Sequence, residues 1–359
     1  MSRSESSTTR NEVGATVMPR RTRRFKIRLA TNGGKPLIDM WTSALFLKAI
    51  FTSKFVEGTK PLSPLFIAES GSAKTDLTGS YESLPSTWRV PVGSSGTGIL
   101  KKLCQMEDRG HEIDFLIIDD LIPTLNRGRN LANRFVSMML NLLESGRAKP
   151  ESYDMEKLPD LKRNVPLGLI AGVTRSYVYR YSEEKKEEVI RGSFLQTGFL
   201  ERMLPWTYIE GKKTVEAIRK NAWSQNWEVP ELEICLPTKS TKFVVEIGED
   251  FCNEISSVAV HVKESANTET NTNRTYRDLV ALAKSIRLMR FFDNEEKQET
   301  TLEVEEADMV VFRQFARYIN FDFNKLEHEE EILEPLEELS DSEHVEVLQR
   351  LSPLGVLRE

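Results

Sequence analysis

Cysteine is scarce in this chain. There are three among 359 residues, Cys104, Cys235 and Cys252, and they form no CxxC pair, so neither a disulfide framework nor a cysteine zinc site is expected. The four histidines make no HExxH, which excludes a zincin-type metalloprotease. No apolar run approaches the length of a membrane span. The longest, Leu65-Phe66-Ile67-Ala68 and Phe115-Leu116-Ile117-Ile118, suit buried strands. The N-terminus is polar and lacks the apolar stretch of a secretory signal. These absences lead to the expectation of a cytoplasmic, reducing setting without a membrane partner. What is present is a globular composition, 39% hydrophobic and 29% charged, long enough for two domains or one large domain with appendages.

Charge is unevenly placed. The net value of −6 hides two opposite ends. Residues 20–28 read RRTRRFKIR, with six basic residues in nine, whereas residues 321–359 hold twelve acidic and three basic residues. The basic run could meet phosphates, with Phe25 stacking on a base. It could equally be a solvated arm or lead into the first strand. The acidic end is expected to be a solvated tail or a partner-binding segment. Residues 1–24 are expected to form a disordered basic arm, since Ser, Thr and Asn dominate their first part.

Apolar spacing predicts a packed helix within 38–55, helices at 99–106, 131–143, 276–291 and 305–319, and buried strands at 64–68, 115–118 and 166–173. Gly146 is the expected C-cap of the second of these helices to follow the strand at 64–68. Glu305, Glu306 and Asp308 suit the start of the last helix. Residues 92–98 read as a Gly/Ser loop, and 183–190 as a charged helix or loop. Pro205 should end any helix at 199–206. Short buried strands alternating with helices imply a parallel α/β sheet followed by a helical piece. The expected organisation is a helical extension at 25–60, a core at 61–210, a connection without assignable pattern at 211–266, a helical lid at 267–320 and the acidic tail.

The strand at 64–68 runs into Glu69-Ser70-Gly71-Ser72-Ala73-Lys74-Thr75. The spacing is that of a P-loop, GxxxxGK[ST], with Ala68 and Ala73 at the glycine positions. Such a loop wraps backbone N–H groups around phosphate at a helix start. Its lysine neutralises the outer phosphates and its hydroxyl meets Mg²⁺. Lys74 and Thr75 fit those roles, and Glu69, Ser70, Gly71, Ser72 and Ala73 complete the cradle for ATP. Forty-five residues after Lys74, Phe115-Leu116-Ile117-Ile118-Asp119-Asp120 has the form of a Walker B strand. Asp119 would hold the metal from an adjoining strand, and Asp120 would orient the attacking water, one methylene shorter than the usual glutamate. Leu167-Gly168-Leu169-Ile170-Ala171-Gly172-Val173-Thr174 is similar to a sensor strand, with Thr174 as its polar tip. Arg202, in GFLERMLPW, fits a trans-acting or sensor arginine, or a surface salt bridge.

Together these motifs resemble the AAA+ branch of P-loop ATPases, and Ser70-Gly71-Ser72-Ala73-Lys74-Thr75 is similar to the loop of minichromosome-maintenance helicases, where alanine commonly precedes the lysine. The stretch from Thr275 to Lys284 resembles their lid helix. The resemblance implies a P-loop NTPase-type parallel sheet with flanking helices and a small helical lid. It also implies a sensor-2 role for Arg277, with Arg274 as the alternative, and a homo-oligomeric ring with nucleotide between neighbours. The function it implies is a Mg²⁺-dependent ATPase working on nucleic acid, as a helicase, a loader, or a replication or transposition factor. The replaced glycines and the short Asp120 keep a second class open, a nucleotide-gated scaffold or DNA-binding protein without fast turnover. A AAA+ protein remodeller using the acidic tail is a third.

Overall fold

Five short strands lie side by side, and their order decides where the loop residues go. The computed structural model describes residues 22–147, 161, 165–182, 187–190, 202–208, 228–238, 240–266, 272–294 and 301–321. The chain starts with β1 (Thr22–Arg28) and α1 (Trp41–Ser53), then β2 (Pro64–Ala68), α2 (Lys74–Gly79) and β3 (Thr87–Arg89). It continues through α3 (Gly96–Asp108), β4 (Phe115–Ile118), α4 (Ile122–Leu125), α5 (Arg129–Ser145), β5 (Gly168–Thr174) and α6 (Arg175–Val178). The hairpin strands β6 (Tyr179–Ser182) and β7 (Glu187–Ile190) precede β8 (Leu204–Thr207) and β9 (Glu231–Pro237). Last come β10 (Val245–Glu246), α7 (Glu249–Ser265), α8 (Thr272–Asp293), β11 (Leu302–Glu303) and α9 (Glu306–Tyr318).

The main sheet has the order β3-β4-β5-β2-β8, with every pair parallel. Both β2 and β4 are buried at every residue, which is why their sequences are continuously apolar and not alternating. This is the expected P-loop NTPase-type sheet. One detail differs from expectation. Asp119 does not follow a strand adjoining β2, because β5 lies between β2 and β4.

The helix α1 is buried throughout residues 43–53, as its apolar circumference requires. Phe46 stacks on Trp206 of β8 with ring centroids 3.9 Å apart, and Phe51 stacks on Tyr81 at 5.4 Å. Trp206 Nε1 donates to Ser43 Oγ at 2.9 Å, so the indole N–H is not left unpaired in the core. The other side of α1 carries α8, and the nearly buried pair Lys48–Asp293, at 2.6 Å, joins the two. The helices α7 and α9 flank α8, and Glu305 and Asp308 form a reciprocal cap at the start of α9.

Several expectations change. The basic run is not a free arm from Thr22 onward. It forms β1, antiparallel to β9, because Ile27 is buried in the core and Glu231 and Glu233 answer its charges. The segment before β2 is therefore strand as well as helix. Residues 211–266 include β9, β10 and α7 where they are described. Gly96 to Gly98, expected as loop, form the first turn of α3. Ser95 Oγ caps that turn by accepting from Gly98 N at 3.1 Å. Residues 187–190 are a strand rather than a helix or loop, paired with β6. Pro205 sits within β8, and residues 199–201, where a helix before it was expected, lie outside the described residues. Residues 1–21 and 322–359 lie outside the described residues, and with them most of the basic arm and the acidic tail.

Candidate active site

The loop of residues 69–73 leaves the C-terminal end of β2 and turns into α2. Its turn depends on two left-handed residues, Gly71 at φ 86° and Ala73 at φ 55°. At Ala73 this conformation costs on the order of 1 kcal/mol, which glycine would avoid. Lys74 is 8% exposed, and its ammonium lies inside the loop. It donates to the carbonyls of Ala68 (3.0 Å) and Glu69 (2.6 Å) and to Ser72 Oγ (3.0 Å). From the end of β8, the Tyr208 hydroxyl donates to the Ser72 carbonyl at 2.5 Å. From the end of β5, Arg175 lies 3.6 Å from the Glu69 carboxylate. Two strands flanking β2 thus hold the loop from either side. Among the described residues, no carbonyl accepts from the amides of Ser70, Gly71 or Ala73.

Asp119, at the tip of β4, is 6% exposed. The Thr78 hydroxyl oxygen lies 2.9 Å from its Oδ1 and 3.0 Å from the Lys74 carbonyl oxygen, two acceptors that share its single proton. One hydroxyl therefore ties the acidic tip to the first turn of α2. The residue making that tie is Thr78, a helical turn beyond the exposed Thr75. Asp119 Oδ2 is held by Arg89 through Nε (2.8 Å) and a terminal guanidinium nitrogen (2.7 Å). Burial would lower the pKa of Arg89, but the hydrogen bond and charge of Asp119, then those of Glu82, raise it above its ordinary value. Asp120 is partly exposed, and its Oδ1 accepts from the Ile122 amide at 2.9 Å. Thr174 pairs in register with Ala68, at the mouth of the loop, with its hydroxyl 3.5 Å from Ser176 Oγ. Between these groups passes the backbone of Gly172. A Cβ there would stand 2.2 Å from the Asp119 carbonyl oxygen and 3.9 Å from Lys74 Cδ.

The residues fit the expected ligands by type. Amides without an acceptor and a buried ammonium suit a polyphosphate. The Thr75 hydroxyl and the carboxylates of Asp119 and Asp120 are all hard oxygen donors, which suits a magnesium-sized cation.

The arginines gather elsewhere. Arg202 Nε donates to Glu144 Oε1 at 2.8 Å, Arg274 donates to the same oxygen at 2.5 Å, and Lys60 donates to Oε2 at 2.9 Å. Burial pushes the Glu144 carboxyl up, but Lys60, Arg274 and Arg202 together hold it below its ordinary range. Burial lifts the nearby Asp278 to about 7, against the opposing charges of Arg274, Arg277 and Lys60. Lys60 precedes β2 and Arg202 precedes its parallel neighbour β8, with Pro64 level with Leu204. This cluster therefore lies at the N-terminal edge of the sheet. At about 3.3 Å per residue, the length of β2 alone puts roughly 13 Å between it and the loop. The structure brings Lys74, Asp119, Asp120 and Thr174 together. It places Arg202, and Arg277 on the first turns of α8, at the far edge of the same chain.

The basic strand is partly neutralised. Arg24 pairs with Glu233 at 3.0 Å and Lys26 with Glu231 at 3.4 Å. Phe25, expected as a stacking surface, is partly buried, and the Arg23 guanidinium lies 5.2 Å from its ring centre. Four site residues escaped the sequence: Thr78, Arg89, Gly172 and Tyr208. Thr78 could have been found, since it lies one turn from Thr75 on the same helix face. Gly172 carried a signal too, as a glycine inside an apolar strand. Nothing marked Arg89 or Tyr208, because their roles depend on strand pairing.

Parallel strands in this order, with a lysine-bearing loop after β2 and an acidic tip after β4, define a P-loop NTPase-type fold. No protein-family model matches the chain, and a comparison with curated proteins finds no match. Among solved structures, a full-length MCM homolog from Methanopyrus kandleri is similar at 11% identity and a TM-score of 0.42, over 78% of this chain and 55% of that one. The chain thus spans little more than half the length of that structure. No helix among the described residues is long and apolar enough to cross a membrane.

Proposed function

We propose that the chain is a Mg²⁺-dependent AAA+ ATPase that couples ATP binding and hydrolysis to work on nucleic acid. The observation that carries this reading is the Thr78 hydroxyl, within 3.0 Å of the Lys74 carbonyl and 2.9 Å of the Asp119 carboxylate, which puts the start of α2 and the acidic tip side by side. In this reading the amides of the loop and the Lys74 ammonium bind the phosphates. Thr75 and Asp119 hold the cation, which when bound neutralises charge building on the phosphate oxygens. Asp120 accepts a hydrogen bond from the attacking water and Thr174 orients it from β5. Phosphate release with and without single- or double-stranded DNA tests the nucleic-acid part. A stimulated rate is expected, and an unchanged rate with both DNAs would remove that part.

Arg202 acts in trans in this reading, in a ring of identical chains. Support comes from its placement at the edge away from its own loop. Arg202→Ala and Lys74→Ala should each be inactive alone, while an equal mixture regains activity at about a quarter of its sites, those pairing an intact loop with an intact arginine. A mixture as inactive as its components would exclude the trans role.

A second reading, a nucleotide-gated scaffold without turnover, is favoured by Asp120, whose Oδ1 is already engaged by the Ile122 amide. Asp120→Asn separates the two. For an ATPase, nucleotide binding persists while phosphate release drops by about a hundredfold or more. For a scaffold, calorimetry shows binding in both proteins and neither releases phosphate. A remodeller of protein substrates would instead lose partners when residues 321–359 are removed.

A further inference from the structure

Arg89 is the one cation seated on Asp119 among the described residues. Its placement is built from three sides. The guanidinium bonds Asp119 Oδ2 through two nitrogens, and a third reaches Glu82 Oε2 at 3.1 Å. It lies flat against Gly79, the last residue of α2, where a Cβ would be 2.9 Å from one terminal nitrogen and 3.1 Å from Cζ. The absence of a side chain at Gly79 makes that seat. Asp119 is nearly buried, whereas Glu82 is more than half exposed.

We infer that Arg89 is a gate on the metal position. It competes with the divalent cation for Asp119, and moves onto Glu82 when the cation arrives. The inference rests on the proposed reading of the loop and acidic tip. The physical reason is charge. A carboxylate satisfied by a two-nitrogen guanidinium pair offers a cation little net attraction until that pair opens. Glu82 lowers the cost of opening, since it already touches the same guanidinium and leaves it paired. Metal binding is thereby weakened in the resting site and coupled to a movement at the end of α2.

The test is a Mg²⁺ titration of fluorescent ADP binding to the full chain, reading the Mg²⁺ concentration at half-maximal signal. Arg89→Gln should lower that concentration by about tenfold. Removing the guanidinium leaves Asp119 short of partners, so a second variant guards against misfolding. Gly79→Ala keeps every charge, suits a helix, and displaces only the movable end of Arg89. It should shift the midpoint the same way, by about threefold. A midpoint unchanged or raised in Gly79→Ala, or in a folded Arg89→Gln, overturns the gate. Lys74→Ala in the same assay keeps the two readings apart. If it loses ADP binding while the midpoints of the other variants stay put, only the gate fails. If it binds ADP as wild type does, the loop reading fails and the gate with it.

Discussion

Replacing Lys74 with alanine is expected to abolish ATP turnover, lowering steady-state phosphate release by about two to three orders of magnitude. The side chain is almost wholly buried, so its charge acts in a site with little water to screen it. It bonds two carbonyls and the Ser72 hydroxyl. Alanine removes the ammonium at the loop's centre with its three donated bonds, although the Glu69 carbonyl still accepts from the Ser72 hydroxyl, at a cost of about 1–3 kcal/mol. A thermal melt must therefore accompany the assay, since a folded protein without turnover is the expected result. Equal phosphate release from wild type and variant would end the P-loop reading.

The second large effect is expected at a residue that touches no ligand. Gly172→Ala should destabilise the protein by about 3 kcal/mol and remove activity, measured as the urea midpoint and as phosphate release. The added methyl would meet the Asp119 carbonyl oxygen at 2.2 Å, and both partners are backbone, so no side chain can turn aside. Gly172 O also accepts from the Leu121 amide at 3.0 Å, which fixes β5 against the turn carrying both aspartates. Relief requires β4 and β5 to part at their tips, and Asp119 then leaves Thr78. Gly168→Ala makes a useful comparison. Its methyl would meet the Phe115 ring at 2.4 Å, at the opposite end of β5, so stability should fall with the site geometry kept. Wild-type stability and activity in Gly172→Ala would contradict the close approach of β5 to Asp119.

Some parts of the fold were visible in one dimension because their determinants are local. Strands β2, β4 and β5 are buried on both faces, so each appears as an unbroken apolar run. The helix α5 ends at Gly146 with φ 70°, a conformation that glycine alone takes without strain. Other parts were hidden because long-range partners decide them. β1 looks like a charged arm until Glu231 and Glu233 lie opposite it. β8 contains a proline, which is admissible because β8 is the outermost strand of the sheet among the described residues and pairs there with β2 alone.

The amino-acid order by itself determined the strand–loop–helix carrying Lys74 and the acidic tip at Asp119 and Asp120, since both depend on neighbours a few positions away. Tertiary structure alone decided that β5 separates those two strands, that Thr78 and Arg89 hold Asp119, and that Arg202 and Arg274 meet on Glu144 away from the loop. These follow from which strands pair and in what order. Pairing is settled by packing between segments dozens to hundreds of residues apart, and no local spacing records it.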